Sequence, residues 1–148
     1  MRYLSSIIVA VLVACATFAA ASDGSVGRVK TVNGPASILR GQVSLPAVVN
    51  ERVFQGDTLR TGPDGSLGVI LKDDTSLSLG PNSVVVVDQF LFAPAEGKLS
   101  LVTRMLKGTA VYISGIIAKL SPQSVRFETP NATIGIRGTR FLVKVEED

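Results

Sequence analysis

From Gly27 onward the 148-residue chain shows no helical period of any length, and this limits its folds more than any other feature. Apolar residues come in short alternating or continuous runs separated by Gly, Pro, Asn and Asp, a pattern of strands and turns. Leu67, Val69 and Leu71 alternate, "KDDT" turns, and Leu77 and Leu79 alternate again. The β-branched run Ser83 to Val87 reads as a strand covered on both sides. Leu99–Leu101, Val111–Ile113 and Val125–Phe127 read as further strands. "ISGIIAKLSP" (Ile113 to Pro122) is the one place where a turn of helix is expected.

A repeat adds architecture. "LRTGPDGSLGVI" (Leu59 to Ile70) superposes on "LSLGPNSVVVVD" (Leu77 to Asp88) at an offset of 18 residues. Looser echoes occur at "NGPASIL" (Asn33 to Leu39) and "TPNATIGI" (Thr129 to Ile136). Pro pre-sets φ at one turn position, Asp or Asn favours the next, and a strand follows. Two strands and two turns of that length suit one coil of a β-solenoid. The expected fold is all-β: a single domain, a twisted solenoid-like pair of sheets, with a β-sandwich as the alternative.

Near the end of the chain, in "NATIGIRGTRFLVKV", the apolar set changes parity. Ile134 and Ile136 are followed by Phe141, Val143 and Val145. Gly138 lies between the two sets, where a bulge or corner at positive φ lets both face one core. Arg137 and Arg140 flank this corner and are expected to face solvent or anchor neighbouring loops.

The first residues belong to export rather than fold. "MRYLSSIIVAVLVACATFAAASDG" has a cation at Arg2, an apolar run and then small residues, as a secretory signal peptide does. The run is shorter than the ~20 residues of a membrane span. Cleavage is expected after Ala21, which leaves residues 22–148 as the exported domain. In the alternative, "LVAC" (Leu12 to Cys15) is a lipobox and Cys15 carries a lipid anchor. Cleavage after Ala21 removes the one cysteine, so the domain is held by packing without a disulfide.

The composition excludes several classes of function. Hydrophobic residues make up 46% of the chain and charged ones 18%, enough for a core. Net charge is +3, or +2 once Arg2 leaves, too small and too evenly spread for a nucleic-acid surface. The chain contains no His, which excludes Ser-His-Asp and Cys-His catalysis and His metal sites. Its glycines form no phosphate-binding loop. Asp57, Asp64, Asp73, Asp74 and Asp88 match no calcium-site spacing and read as turn residues. No enzyme, metal or cofactor is expected.

"GDTLRTGPDGSLGVILKDDTSLSLGPNSVV" (Gly56 to Val85) resembles the core of the FecR domain, with Gly56, Asp57, Thr61, Gly62, Asp73 and Thr75 on its motif positions. "VRFETPNATIGIRGTRFLVKV" (Val125 to Val145) resembles that family's last segment through Thr129, Pro130, Arg137, Gly138, Thr139 and Phe141. "GRVKTVNGPASILRG" (Gly27 to Gly41) looks like its usual start. Asp74 departs from the pattern, since the family commonly has Gly there. The best-known members are inner-membrane regulators of iron-uptake genes that carry this β domain in the periplasm. Here a signal peptide is expected in place of their cytosolic segment and span, leaving the exported β module.

The resemblance implies a non-catalytic protein-binding module of the bacterial envelope, with a part in signalling or regulation and an unidentified envelope protein as partner. An envelope glycan or matrix binder is the alternative, although the domain has few aromatic residues for a sugar platform. The expected location is periplasmic or secreted, with membrane attachment only through a lipidated Cys15. Phe90, Leu91 and Phe92, in "FLFAPAEGK", form the candidate interaction patch, the alternative being a strand buried on both sides.

Overall fold

The computed structural model describes residues 24–136 and 140–146. Strands hold 59% of the described residues and helix 9%, so the fold is all-β. In chain order the strands are β1 (Gly27–Asn33), β2 (Ala36–Arg40), β3 (Val43–Pro46), β4 (Arg52–Val53), β5 (Thr58–Thr61) and β6 (Ser66–Leu71). They continue as β7 (Ser76–Leu79), β8 (Val84–Ala93), β9 (Lys98–Ile113), β10 (Val125–Glu128), β11 (Thr133–Gly135) and β12 (Arg140–Val145). The expected turn of helix is found as α1 (Ile116–Leu120), followed by a 3-10 turn (Pro122–Ser124).

The strands form one curled sheet in the order β3-β2-β5-β8-β9-β7-β6-β1-β4. It curls over through β9, which belongs to both halves, so the chain forms one open half-barrel where a pair of separate sheets was expected. β2, β3, β5 and β8 build one half with the first part of β9, while β1, β4, β6 and β7 build the other with its last part. At the margin β10 runs parallel to the start of β9, and β12 pairs antiparallel with its end. Neighbouring strands otherwise run antiparallel, so the 18-residue repeat does not stack as the parallel coils of a regular solenoid. It marks the places where the chain turns from one half to the other.

Those places form a row of interlocked corners. Gly34–Pro35 lies between β1 and β2, residues 62–65 between β5 and β6, residues 80–83 between β7 and β8, and Gly108 inside β9. The Gly62 N–H donates to the Pro35 carbonyl at 2.9 Å, and the Asn82 N–H to the Gly62 carbonyl at 3.0 Å. The Gly80 N–H donates to the Thr109 carbonyl at 2.9 Å. Ser83 completes the row. Its hydroxyl accepts from the Thr109 N–H at 3.0 Å and reaches the Thr109 carbonyl at 3.1 Å. Backbone polar groups that a sharp bend would strand are thereby satisfied.

Side chains from both halves meet in one core. Ile38, Val53, Leu59, Leu77, Val85, Leu101, Met105, Ile117 and Phe127 are fully buried. Each such side chain contributes roughly 1.5–3 kcal/mol by leaving water. Opposite the corners, two segments pass from one half to the other. Phe54–Asp57 joins β4 to β5 and is fixed to β8 by the Gly56 N–H to Val87 carbonyl bond at 2.7 Å. Residues 114–124 join β9 to β10 and bury Ile117.

β11 and β12 belong to different halves, yet Ile136 and Val143 are both buried in the same core, with Ile134, Phe141 and Val145 packed against it. The change of parity read near the end of the sequence therefore has the expected result. The expected corner itself, at Arg137, Gly138 and Thr139, lies outside the described residues, as do Cys15 and the leader. A change of parity at a positive-φ glycine is visible at Gly108, where φ is 96°. Before it the residues of β9 that join the core cluster are odd-numbered (Leu101, Met105), Val102 being buried outside that cluster; after it they are even-numbered (Ala110, Tyr112).

Candidate functional site

The residues on family-motif positions build the frame. Gly56, at φ 88°, brings the chain into β5. Asp57 is 1% exposed, and its carboxylate accepts the Phe54 N–H at 2.8 Å. Arg40 reaches the same carboxylate in a fork, Nε at 3.0 Å and Nη2 at 2.9 Å. Its guanidinium also lies 4.4 Å from the centre of the Phe54 ring. The bond to Asp57 raises the Arg40 pKa above its ordinary value, against a smaller opposing effect of burial. Thr61 donates to the Gly80 carbonyl at 2.6 Å and accepts the Ser83 N–H at 2.9 Å, which ties two corners together. Gly62 belongs to the same row.

Asp73 and Thr75 anchor the other side. The Asp73 carboxylate is fully buried and accepts the Thr75 N–H at 3.1 Å, the Thr75 hydroxyl at 2.8 Å and the Ile117 N–H at 3.3 Å. The Asp73 carbonyl takes the Ile116 N–H at 2.7 Å. Asp74, where the family commonly has Gly, adopts φ 68°. Asp tolerates this left-handed conformation better than most residues, so the turn that Gly would form is kept.

Thr129 holds the β10–β11 turn by accepting the Ala132 N–H at 3.1 Å, and Pro130 is exposed in that turn. Phe141 stacks on Tyr112 at 4.8 Å and meets the edge of Phe127 at 5.7 Å. The Tyr112 hydroxyl is buried beside Thr75, whose own hydroxyl is given to Asp73, and has no hydrogen-bond partner. Burial, assisted by the nearby Asp73 charge and opposed by Thr75, pushes the Tyr112 pKa well above the ordinary 10.0.

The run Phe90–Leu91–Phe92 does not present one apolar surface. A bulge between Val87 and Gln89 changes the parity of β8. Phe90 and Phe92 then pack against the core, half-buried, while Leu91 stands on the opposite face, 42% exposed.

Exposed apolar side chains lie next to one another elsewhere, on the outer face of the half containing β12. Across β12, β9, β7, β6 and β1 one row reads Arg140, Ile113, Ser76, Ile70 and Arg28. The next reads Leu142, Val111, Ser78 and Gly68. Leu142 is 66% exposed and Ile113 39%. The far end of the first row opens into a depression of about 380 Å³ lined by Arg28, Arg52, Lys72, Ile70, Asn50 and Asp74. Arg28 donates to the Asn50 side chain there at 3.2 Å. Chemically this face has an apolar centre, small hydroxyl groups around it and cations at both ends. The sequence did carry a signal for it: Leu142 is apolar on the face that the alternation of Phe141, Val143 and Val145 assigns to solvent.

Among the described residues no helix is long and apolar enough to cross a membrane. No curated protein and no solved structure matches the chain. The family model described as FecR protein matches residues 57–148, more than half of the sequence. The match starts at Asp57, so β1 to β4 lie outside it although they complete both halves of the sheet. The buried carboxylates and the row of corners supply the physical reason for the motif residues within it, and the chain belongs to the FecR family, a family of regulatory, signalling-related envelope proteins.

Proposed function

We propose that this FecR-family chain is a non-catalytic, exported module of the bacterial envelope that acts by binding another protein, as part of a signalling or regulatory system. The binding surface is the outer face of β1, β6, β7, β9 and β12. One observation carries the reading: Leu142 and Ile113 stand exposed beside Val111 on the outer face, with Ser76 and Ser78 next to them and arginines beyond. An apolar centre within a polar, charged rim is the usual anatomy of a protein interface. The Arg28, Arg52 and Lys72 end of the face favours an acidic surface on the partner. The described family motif residues make contacts that hold the fold, and the family is a regulatory, signalling one.

A photo-crosslinking amino acid placed at Ile113 or Leu142 in the living cell tests this. Each position is expected to yield a discrete adduct with one envelope protein other than a second copy of this chain. The same probe at Val43, 60% exposed on the far edge strand β3, is expected to yield none. Ile113→Asp is expected to remove the adduct formed from Leu142. Absence of an adduct at both positions, together with retention of the protein on purified envelope glycan, would overturn the reading in favour of glycan binding.

A further inference from the structure

Five strands, β3, β4, β10, β11 and β12, lie outside the central run of the sheet or at its ends. β10 is paired on both sides, and among the described residues the other four are paired on one side only. Three of these are short: β4 has two residues, β11 three, and β3 four ending in Pro46. Short length and proline are the usual protections of a sheet edge. β12 has neither. It offers six residues, Arg140–Val145, with an even register against β9, no Pro and no Gly. Its inward residues Phe141 and Val145 remain only half-buried, and its outward Leu142 is largely exposed.

We propose that two copies of this chain pair antiparallel through their β12 edges, around a two-fold axis at Val143, so that their sheets become continuous. This goes beyond the binding of an envelope partner. The occupant follows from the strand's own sequence, Arg-Phe-Leu-Val-Lys-Val-Glu from 140 to 146. Centred on Val143, the pairing sets Arg140 opposite Glu146 twice, Phe141 opposite Val145 twice and Leu142 opposite Lys144 twice. Opposite charges face each other, inward residues meet inward residues, and the lysine stem covers the exposed leucine.

Neighbouring registers fail for physical reasons. A shift by one residue places the core side of one copy against the solvent side of the other. Centring on Leu142 sets Arg140 against Lys144, and centring on Lys144 sets two lysines face to face. The register on Val143 pairs the strand over its full length without a like-charge contact. Glu146 already lies 3.3 Å from Lys144 of its own chain, so Arg140 of the second copy joins an existing ion pair. Seven paired residues from each copy bury less than a standard interface, so the dimer is a weak, reversible one.

Sedimentation of the full chain, as processed by the cell, tests the proposal through a charge-reversal cycle. The wild type is expected to show a reversible monomer–dimer equilibrium. Arg140→Glu and Glu146→Arg are each expected to weaken it about tenfold or more, since each turns two attractive pairs into repulsive ones. The double reversal is expected to restore it. All these side chains are exposed, and an unchanged urea midpoint shows that folding is intact. A protein that stays monomeric up to about 1 mM overturns the proposal, and leaves the edge to a strand from another protein. So does a dimer whose affinity is unaffected by either single reversal, or one that the double reversal does not restore.

Discussion

Arg40 holds Asp57 through two parallel hydrogen bonds, 3.0 Å from Nε and 2.9 Å from Nη2, and so joins β2 to the segment that enters β5. Such forked pairs are directional as well as charged. The two partners differ in burial, Asp57 side chain 1% exposed and Arg40 36%. Removing the arginine therefore strands a buried carboxylate. Breaking one side of a fully buried pair costs 3–5 kcal/mol, and partial water access at Arg40 lowers this to about 2–3 kcal/mol. Arg40→Ala is expected to lower the urea midpoint accordingly. Arg40→Lys, which keeps the charge but not the fork, is expected to fall between it and wild type.

Asp73 fastens the segment carrying α1 to the β6–β7 turn. Asp73→Ala removes the acceptor of the Thr75 and Ile117 N–H groups, both buried. An unsatisfied buried donor costs ~1–3 kcal/mol, so a loss of about 3 kcal/mol is expected. Amide hydrogen exchange at Ile117 is expected to accelerate more than exchange in β2 and β3, because the anchor is local. Equal acceleration everywhere would mean that Asp73 supports the whole core rather than this segment.

Tyr112 gives the chain an alkaline limit. Its folded pKa is raised above the ordinary 10.0, chiefly by burial. The stability that follows is fully present below pH 10 and is lost as pH rises further, because the unfolded chain releases the phenolic proton first. The slope is about 1.4 kcal/mol per pH unit. Tyr112→Phe is expected to abolish this slope. Below pH 9 it is expected to be as stable as wild type or slightly more so, because the hydroxyl it removes is buried without a partner. Urea midpoints of the two proteins between pH 8 and 11, taken as a difference, measure the effect.

The all-β class was legible because Leu67, Val69, Leu71, Leu77 and Leu79 alternate cleanly and all reach the core. The repeat was legible too, through its Gly-Pro turns, although its meaning is a corner shared by antiparallel neighbours. Longer strands were hidden wherever parity changes. β9 reads as two short strands in the sequence, since Leu101 and Tyr112 face one core on opposite parities. A bulge in β8 likewise divided the Phe90–Leu91–Phe92 patch between two faces. Arg40 escaped notice because its partner Asp57 is 17 residues away and only folding brings them together. The outer face was hidden by the same cause: it gathers residues from five strands.

Gly108 provides the sharpest test of how a parity change is built. It sits in the middle of a 16-residue strand at φ 96°, a conformation open to glycine and costly for other residues. Its environment adds a second penalty. A Cβ there would overlap both the backbone and the side chain of Ser83, the residue that fastens this corner to its neighbour. Gly97 is the control: it has φ 67° but no atom within 4 Å of an added Cβ. Gly97→Ala carries the backbone cost alone, about 1–2 kcal/mol. Gly108→Ala carries that cost and also displaces Ser83, with its hydrogen bonds to Thr109. A loss of about 4 kcal/mol or more is expected, a large share of the ~5–15 kcal/mol that holds a domain together. Urea denaturation of the two variants side by side measures the difference. If Gly108→Ala were no worse than Gly97→Ala, the corners would not be interlocked through Ser83, and the change of face along β9 would need another cause.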